Sequence, residues 1–165
     1  IITVKGVRTS YNDAPQMGTP FYISHEDKEA PAAVEGAIEL SFADKANRTE
    51  FSTSKQVWKQ NGITLTNDKS SSTSNVADYA NPARFYKSSK ITVALEEGKT
   101  MTKIDFVCNN ATYAAELKNS ITDTSVTVAL NATTVSVTFA QPVNSFVIAA
   151  TAAQVRVNSL TVYTK

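Results

Sequence analysis

The chain has 165 residues, with 16 Lys and Arg against 15 Asp and Glu and a formal net charge of +1 at pH 7. This length suits one domain, or one domain plus part of another. The near-neutral charge, with no block of like charges, gives no electrostatic basis for binding nucleic acid or an acidic membrane surface. No apolar run approaches the length of a membrane span.

Residues 1–34 differ in pattern from the rest. ITVKGV alternates as a strand, a second strand is predicted at Phe21 to Ser24, and HEDKEAPAAVEG has the composition of a linker. Two strands alone are marginally stable in water, so we expect this strand pair either to pack on the following domain or to be the remnant of a preceding one. The sequence opens directly on a strand, which suggests that it is a piece of a longer precursor. The missing signal peptide is therefore little evidence about where the protein is located.

From residue 35 onward, short strands recur at regular spacing. AIELSFA alternates strictly and places Ile38, Leu40 and Phe42 on one face. QVWKQNGITLTND predicts a hairpin about Asn61 and Gly62, the best short turn signal in the chain. A polar, serine-rich loop, KSSSTSN, separates this hairpin from ARFYKSSKITVAL, which predicts one or two further strands.

The second half of the chain continues in the same way. EEGKTM predicts a turn centred on Gly98, TKIDFVCN a strand, and NATYAAELKNSI one short helix, because its apolar residues recur at close to helical spacing. SVTVALNATTVSVTFAQ predicts a hairpin about Asn131 and Ala132. In the last strand, QVRVNSLTVYTK, the apolar phase shifts at Asn158 and Ser159, which indicates a bulge or bend.

These elements predict an all-β fold with one short helix. About eight short strands favour an antiparallel β-sandwich, and among sandwiches a jelly roll. An immunoglobulin-like sandwich is the alternative, although the chain lacks the Cys and Trp spacing of true immunoglobulin domains. The domain boundary is placed between residues 34 and 35.

The stretch NVADYANPARFY contains many side chains suited to binding a polar ligand. Sugars are bound by aromatic faces and by amides, carboxylates and Arg forks that bond their hydroxyl groups. The candidate ligand-binding residues are Asn75, Asp78, Tyr79, Asn81, Arg84 and Tyr86. The structural alternative is that Arg84 and Asp78 form an internal ion pair that pins a long loop.

Trp58, the only tryptophan, is a further candidate. It can serve as a stacking platform for a sugar or as a core anchor. Its neighbour Val57 points to the other side of the strand, so we expect one of the two to face outward and the other to lie in the core.

Catalytic and metal-binding patterns are weak. Asp44, Asn47 and Glu50 follow the first sandwich strand and are candidates for a structural calcium site, but the acidic residues are too few to predict any cofactor. Cys108 is interpreted as a small buried hydrophobe. An enzyme would need two titratable groups in one cleft, and Asp78 or Asp105 would be the natural members; we expect no enzymatic activity.

Several segments carry a resemblance. QVWKQNGITLTNDKSSSTSNVADYANPARFYKSSKITV, MTKIDFVCN and VRVNSLTVY together resemble a β-sandwich module that recurs in large secreted and surface proteins of gut Bacteroidetes and some Firmicutes. The module is similar in layout to galactose-binding-like jelly rolls, and the resemblance covers roughly residues 37–165. ITVKGVRTSYNDAPQM resembles the last strands of small OB-like domains. The resemblance implies an extracellular or cell-surface location and binding of a sugar or a partner.

The functional hypothesis is therefore a non-catalytic glycan-binding module of a bacterial secreted or cell-surface protein. Aromatic rings would stack on the sugar while amides, carboxylates and an Arg fork bond its hydroxyls. The alternative is a structural spacer or adhesion domain, whose partners would be a host or cell-surface protein or neighbouring domains of a longer chain.

Overall fold

A computed structural model describes residues 2–5, 8–11, 14–17, 21–25, 36–78 and 81–165. Contacts within the chain divide it into two units, Ile1–Ala33 and Val34–Lys165.

The first unit contains four described strands, which are β1 (Ile2–Lys5), β2 (Arg8–Tyr11), β3 (Ala14–Met17) and β4 (Phe21–His25). β1 pairs with β4 and β2 pairs with β3, both antiparallel. The strand pair predicted from the sequence corresponds to β1 and β4. The β2–β3 pair was not predicted, because β3 includes Pro15, a residue that is depleted in strands.

The second unit is an antiparallel sandwich. Its strands are β5 (Gly36–Ser41), β6 (Arg48–Phe51), β7 (Lys55–Gln60), β8 (Ile63–Asp68), β9 (Ala83–Phe85), β10 (Lys90–Leu95), β11 (Met101–Cys108), β12 (Val126–Asn131), β13 (Thr134–Val143), β14 (Ser145–Ile148) and β15 (Val155–Thr164). The first sheet has the order β14-β10-β8-β7-β6. The second sheet has the order β12-β13-β11-β15-β5, with β9 also paired to β15.

Two pairs of consecutive strands cross between the sheets. β10 continues into β11 and β13 continues into β14, and these two ribbons pair with each other in both sheets. Ribbons wound over both sheets in this way are typical of a jelly roll. The predicted all-β antiparallel sandwich with one short helix is confirmed.

The core lies between the two sheets and is built from alternating residues. Leu40 and Phe42 face inward, as predicted, and Trp58 meets the edge of the Phe42 ring with the ring centroids 5.1 Å apart. The interior also takes Phe85 from β9 and Phe106 from β11, both 0% exposed. Aromatic pairs of this kind add to the stability that burial of their area provides.

Local signals set the turns. Asn61 and Gly62 have φ values of 52° and 79° and join β7 to β8, as the type I′ hairpin signal predicts. Gly98, with φ 79°, lies in the turn between β10 and β11, and Ala132, with φ 51°, lies in the turn between β12 and β13. All three predicted turns are confirmed.

The predicted helix and bulge are also confirmed. Helix α1 spans Ala111–Ser120, and the side chain of Asn110 caps it by accepting a hydrogen bond from Tyr113 N at 3.0 Å. In the β11–β15 ladder, Val107 lies opposite Ser159 while Cys108 lies opposite Val157, so Asn158 is the extra residue of a bulge.

The first and last strands of the sandwich are neighbours in the second sheet. β5 and β15 are antiparallel neighbours, and their register places Gly36 opposite Thr164. The Thr164 hydroxyl donates to the Gly36 carbonyl at 3.2 Å. The first and last strands of the second unit therefore form one continuous ladder.

Candidate functional site

The outer surface of the second sheet carries polar side chains. On β11, Ile104 and Phe106 point into the core, so Lys103 and Asp105 point outward. On β15, the same alternation buries Leu160 and Val162 and turns Thr161 and Tyr163 outward. We call this outer surface of the second sheet the polar sheet face.

Asp105 is the centre of a hydrogen-bonded cluster on the polar sheet face. Its Oδ2 accepts from Lys103 Nζ at 2.8 Å and from Tyr163 OH at 3.0 Å, and its Oδ1 accepts from Ser136 Oγ at 2.6 Å. Lys103 Nζ also lies 4.6 Å from the centroid of the Tyr163 ring. The register explains the convergence, because Asp105 lies directly opposite Ser136 on β13, and Lys103 lies opposite Tyr163 on β15.

Hydrogen bonding shifts the pKa values of two groups in this cluster. Burial on its own raises the pKa of Asp105, but the hydrogen bonds from Lys103, Ser136 and Tyr163 outweigh it, and the pKa lies below its ordinary value of 3.8. The hydrogen bond to Asp105 raises the pKa of the Tyr163 hydroxyl above 10.0. At neutral pH the carboxylate is ionised and the phenol is protonated, so neither group is tuned toward general acid–base work near pH 7.

Two arginines lie farther along the same face. Arg84 on β9 is directly opposite Arg156 on β15, and both point outward because Ala83, Phe85 and the residues flanking Arg156 are buried. The guanidinium carbon of Arg156 is 5.4 Å from the centroid of the Tyr113 ring in the first turn of α1. This end of the polar sheet face is therefore basic and adjoins the start of the helix.

The predicted ligand loop is only partly on this face. Asn75 Oδ1 accepts from Lys69 Nζ at 2.8 Å, and the Asp78 carboxylate bonds Arg48 Nη1. Of the two partners predicted to form an internal ion pair, Asp78 thus pairs with Arg48, and Arg84 lies on the polar sheet face. Arg48 was missed because it lies on β6, far from the loop in sequence.

The remaining predicted residues take separate positions. Asn81 is exposed, and Tyr86 is half-buried. The Tyr86 carbonyl accepts hydrogen bonds from Ser89 N at 3.0 Å and from the Thr151 hydroxyl, which ties this turn to the segment after β14. Tyr79 lies outside the described residues. Of the predicted set, Arg84 alone is shown on the polar sheet face.

Trp58 is a core residue. It is 0% exposed and packs on Phe42, so its ring offers no face to a sugar, and the predicted stacking role is wrong. Val57 is 3% exposed, which corrects the expectation that one of the two would face outward. The loop after β8 returns to the β6–β7 connection through a hydrogen bond from Val76 N to Thr53 O, and Val76 is itself 4% exposed.

The candidate calcium ligands make other contacts. Asp44 Oδ1 accepts from Ala46 N at 2.8 Å and caps the 3₁₀ turn Lys45–Asn47. Asn47 Nδ2 donates to Ser41 O at 2.9 Å, and the Glu50 carboxylate is 3.2 Å from Lys55 Nζ. Within the described part of the chain, no group of three or more His, Cys, Asp or Glu side chains could hold a metal ion.

The described residues form, among others, two open depressions near turns of the sandwich. The larger, about 240 Å³, is found where the β7–β8 and β10–β11 turns meet, and it is lined by Gly36, Ile38, Asn61, Gly62, Leu95, Glu96, Lys99 and Thr164. The smaller, about 130 Å³, lies between the end of α1 and β14. In the larger depression, the Asn61 amide donates to Glu39 O at 2.9 Å. Glu96 and Lys99 are the charged residues that line it.

Comparison with known proteins found no match to a family model, to a curated protein or to a solved structure. Among the described residues, no helix has both the length and the apolar character that a membrane crossing requires. Functional inference therefore depends on the residues of the polar sheet face and their contacts.

Proposed function

We propose that this protein is a non-catalytic glycan-binding module and that the polar sheet face is its binding surface. The observation that carries the proposal is the cluster of Lys103, Asp105 and Tyr163, whose donors and acceptors are held together on the outside of a sheet. Sugar hydroxyls both donate and accept hydrogen bonds, so they suit a surface that presents a carboxylate, an ammonium group and a phenol side by side.

The dimensions of the face support an oligosaccharide over a single sugar. Along β15, the run from Arg156 to Tyr163 covers roughly 20 Å at the rise of an extended strand. Thr161 and the half-buried Ser159 add hydroxyl groups between these two residues. A ligand lying along β15 would meet the Asp105 cluster at one end and the arginines at the other.

With this function we propose a location outside the cell or on its surface, where the module would meet glycans. The resemblance of residues 37–165 to modules of secreted and surface proteins supports the same location.

The test is a glycan array followed by calorimetric titration of the glycans that bind. Lys103→Met and Tyr163→Ala should each weaken binding, whereas Lys59→Met, at an exposed position on β7 of the first sheet, should leave it unchanged. The fluorescence of Trp58 would show that each variant is folded. If Asn75→Ala abolishes binding while Tyr163→Ala has no effect, the loop is the site and the sheet face is not.

A spacer or adhesion domain is the second candidate. Two observations favour it: Trp58 is in the core, and three large apolar side chains on edge strands are exposed, namely Phe51, Leu130 and Val147. The spacer or adhesion hypothesis predicts that no glycan on the array binds the protein. It also predicts that Leu130→Lys combined with Val147→Lys lowers attachment in a cell-adhesion assay without lowering the free energy of unfolding.

A further inference from the structure

Arg84 and Arg156 form a cross-strand pair of like charges. They are direct partners in the β9–β15 register, where opposite Cβ atoms are roughly 4.5–5.5 Å apart. Like charges placed directly opposite in an antiparallel pair are unfavourable. A third group that neutralises both would remove this cost.

Neither arginine has a counter-charge among the described residues. The ion pairs found there join Arg48 to Asp78, Lys55 to Glu50 and Lys103 to Asp105. The Nε atoms of Arg84 and Arg156 are both buried and make no hydrogen bond within the described structure. A buried donor without an acceptor costs free energy, and each guanidinium keeps a positive charge that an incoming anion would neutralise.

The surroundings of the arginine pair favour the binding of an anion. The Tyr113 ring packs against Arg156 and fixes one guanidinium, and α1 begins beside it with no acidic residue in its first turn. The start of a helix carries a partial positive charge that adds to the field of the two arginines. Asp105, on the same face, forms its ion pair with Lys103 and not with either arginine.

We propose that Arg84 and Arg156 bind an oxyanion substituent of an acidic glycan, a uronic acid carboxylate or a sulfate ester. This inference rests on the proposed function, since it assigns the class of glycan. A guanidinium presents its N–H groups as a planar fork that matches two oxygens of a carboxylate or sulfate. One such group between the two guanidinium groups would neutralise the repulsion within the pair.

A site for one substituent differs from a general polyanion surface. The net charge is +1, and the two arginines are a local pair and not part of a basic block. We therefore expect selectivity for glycans that carry an acidic group at a matching position, with neutral residues along the Asp105 cluster. Nucleic acid and highly charged polymers should gain no comparable advantage.

The first experiment observes the arginine Nε–H signals by NMR. The chain has four arginines, so the signals can be assigned with single Arg→Gln variants. Adding sodium sulfate or sodium glucuronate, against sodium chloride at equal ionic strength, should shift the signals of Arg84 and Arg156. Arg48 is the internal control, because its Nε is also buried without a partner but its guanidinium is paired with Asp78. Absence of any shift at Arg84 and Arg156 would overturn the inference.

The second experiment separates this inference from the proposed function. Calorimetry would compare an acidic oligosaccharide with its neutral, desulfated or carboxyl-reduced form. Arg84→Gln and Arg156→Gln should each reduce the preference for the acidic over the neutral form about tenfold, the size expected for one charged hydrogen bond. Arg84→Lys keeps the charge and removes the fork, so it should restore only part of the affinity lost in Arg84→Gln. Partial restoration would also show that the loss of affinity is not caused by misfolding.

Each result has a distinct meaning. Equal binding of acidic and neutral glycans would overturn the inference and leave the proposed function standing. Anion-induced shifts at both arginines without binding of any glycan would overturn the glycan assignment and the proposed function together. Binding of DNA and dextran sulfate as tightly as the acidic glycan would show a nonspecific cation pair, contrary to the inference. A smaller effect of sulfate than of glucuronate would assign the substituent as a carboxylate.

Discussion

Replacing Asp105 by Asn tests the centre of the polar sheet face. The side chain of Asp105 is 14% exposed and accepts from Lys103, Ser136 and Tyr163. An Asn side chain can turn its oxygen toward Lys103 and Tyr163 and its amide toward the Ser136 oxygen, which can accept. The three hydrogen bonds then survive in D105N, but none of them involves a carboxylate.

The magnitude follows from this geometry. Hydrogen bonds to charged groups contribute roughly 1.5–3 kcal/mol and neutral ones about 1 kcal/mol. Loss of the charge in D105N should therefore lower the free energy of unfolding by about 1–2 kcal/mol. The contribution of the Lys103 ion pair is reduced because the Lys103 side chain is 35% exposed. D105A removes all three bonds and should cost about 2–4 kcal/mol.

The assay is urea unfolding at several pH values, followed by Trp58 fluorescence. The folded pKa of Asp105 is lowered, so the carboxylate stabilises the fold above its unfolded pKa, near 3.9, and this contribution is lost as pH falls through the folded value. The difference between the parent chain and D105N should thus be largest at neutral pH and shrink below about pH 4. Equal stability at pH 7, or a difference that grows in acid, would refute the reasoning.

Three further predictions concern other positions. Burial raises the pKa of Cys108 to about 12, so its thiol should not react with Ellman's reagent at pH 8 until urea unfolds the chain. Gly98→Ala should cost about 1–2 kcal/mol for its φ of 79° alone, and Gly62→Ala should cost slightly more, because an added Cβ would lie 3.2 Å from the Glu96 side chain. Asn110→Ala should cost about 1 kcal/mol in urea unfolding, and Asn110→Asp much less.

Elements with local signals were predicted well. The hairpin at Asn61 and Gly62 follows from two residues that tolerate positive φ, and α1 follows from helical spacing behind a good cap at Asn110. The bulge at Asn158 was visible as a break in alternation. Each of these features depends on neighbours in sequence, so a pattern within a few residues contains the information.

The candidate site could be predicted only in fragments. Arg84 was predicted as a ligand-binding residue, whereas Asp105 was named only as a possible member of an enzyme site, and their partners on the sheet, among them Arg156 and Tyr163, come from β15. Which strands become neighbours is decided by the winding of the whole sandwich, and no local pattern encodes it.

The ladder between β5 and β15 has a mechanical consequence. A load applied through Gly36 and Thr164, which lie opposite each other at one end of the ladder, pulls the two strands apart from that end. The backbone hydrogen bonds then break one after another, as in a zipper, and not all at once as in shear. Tension along the chain should therefore peel β5 away from the second sheet at low force.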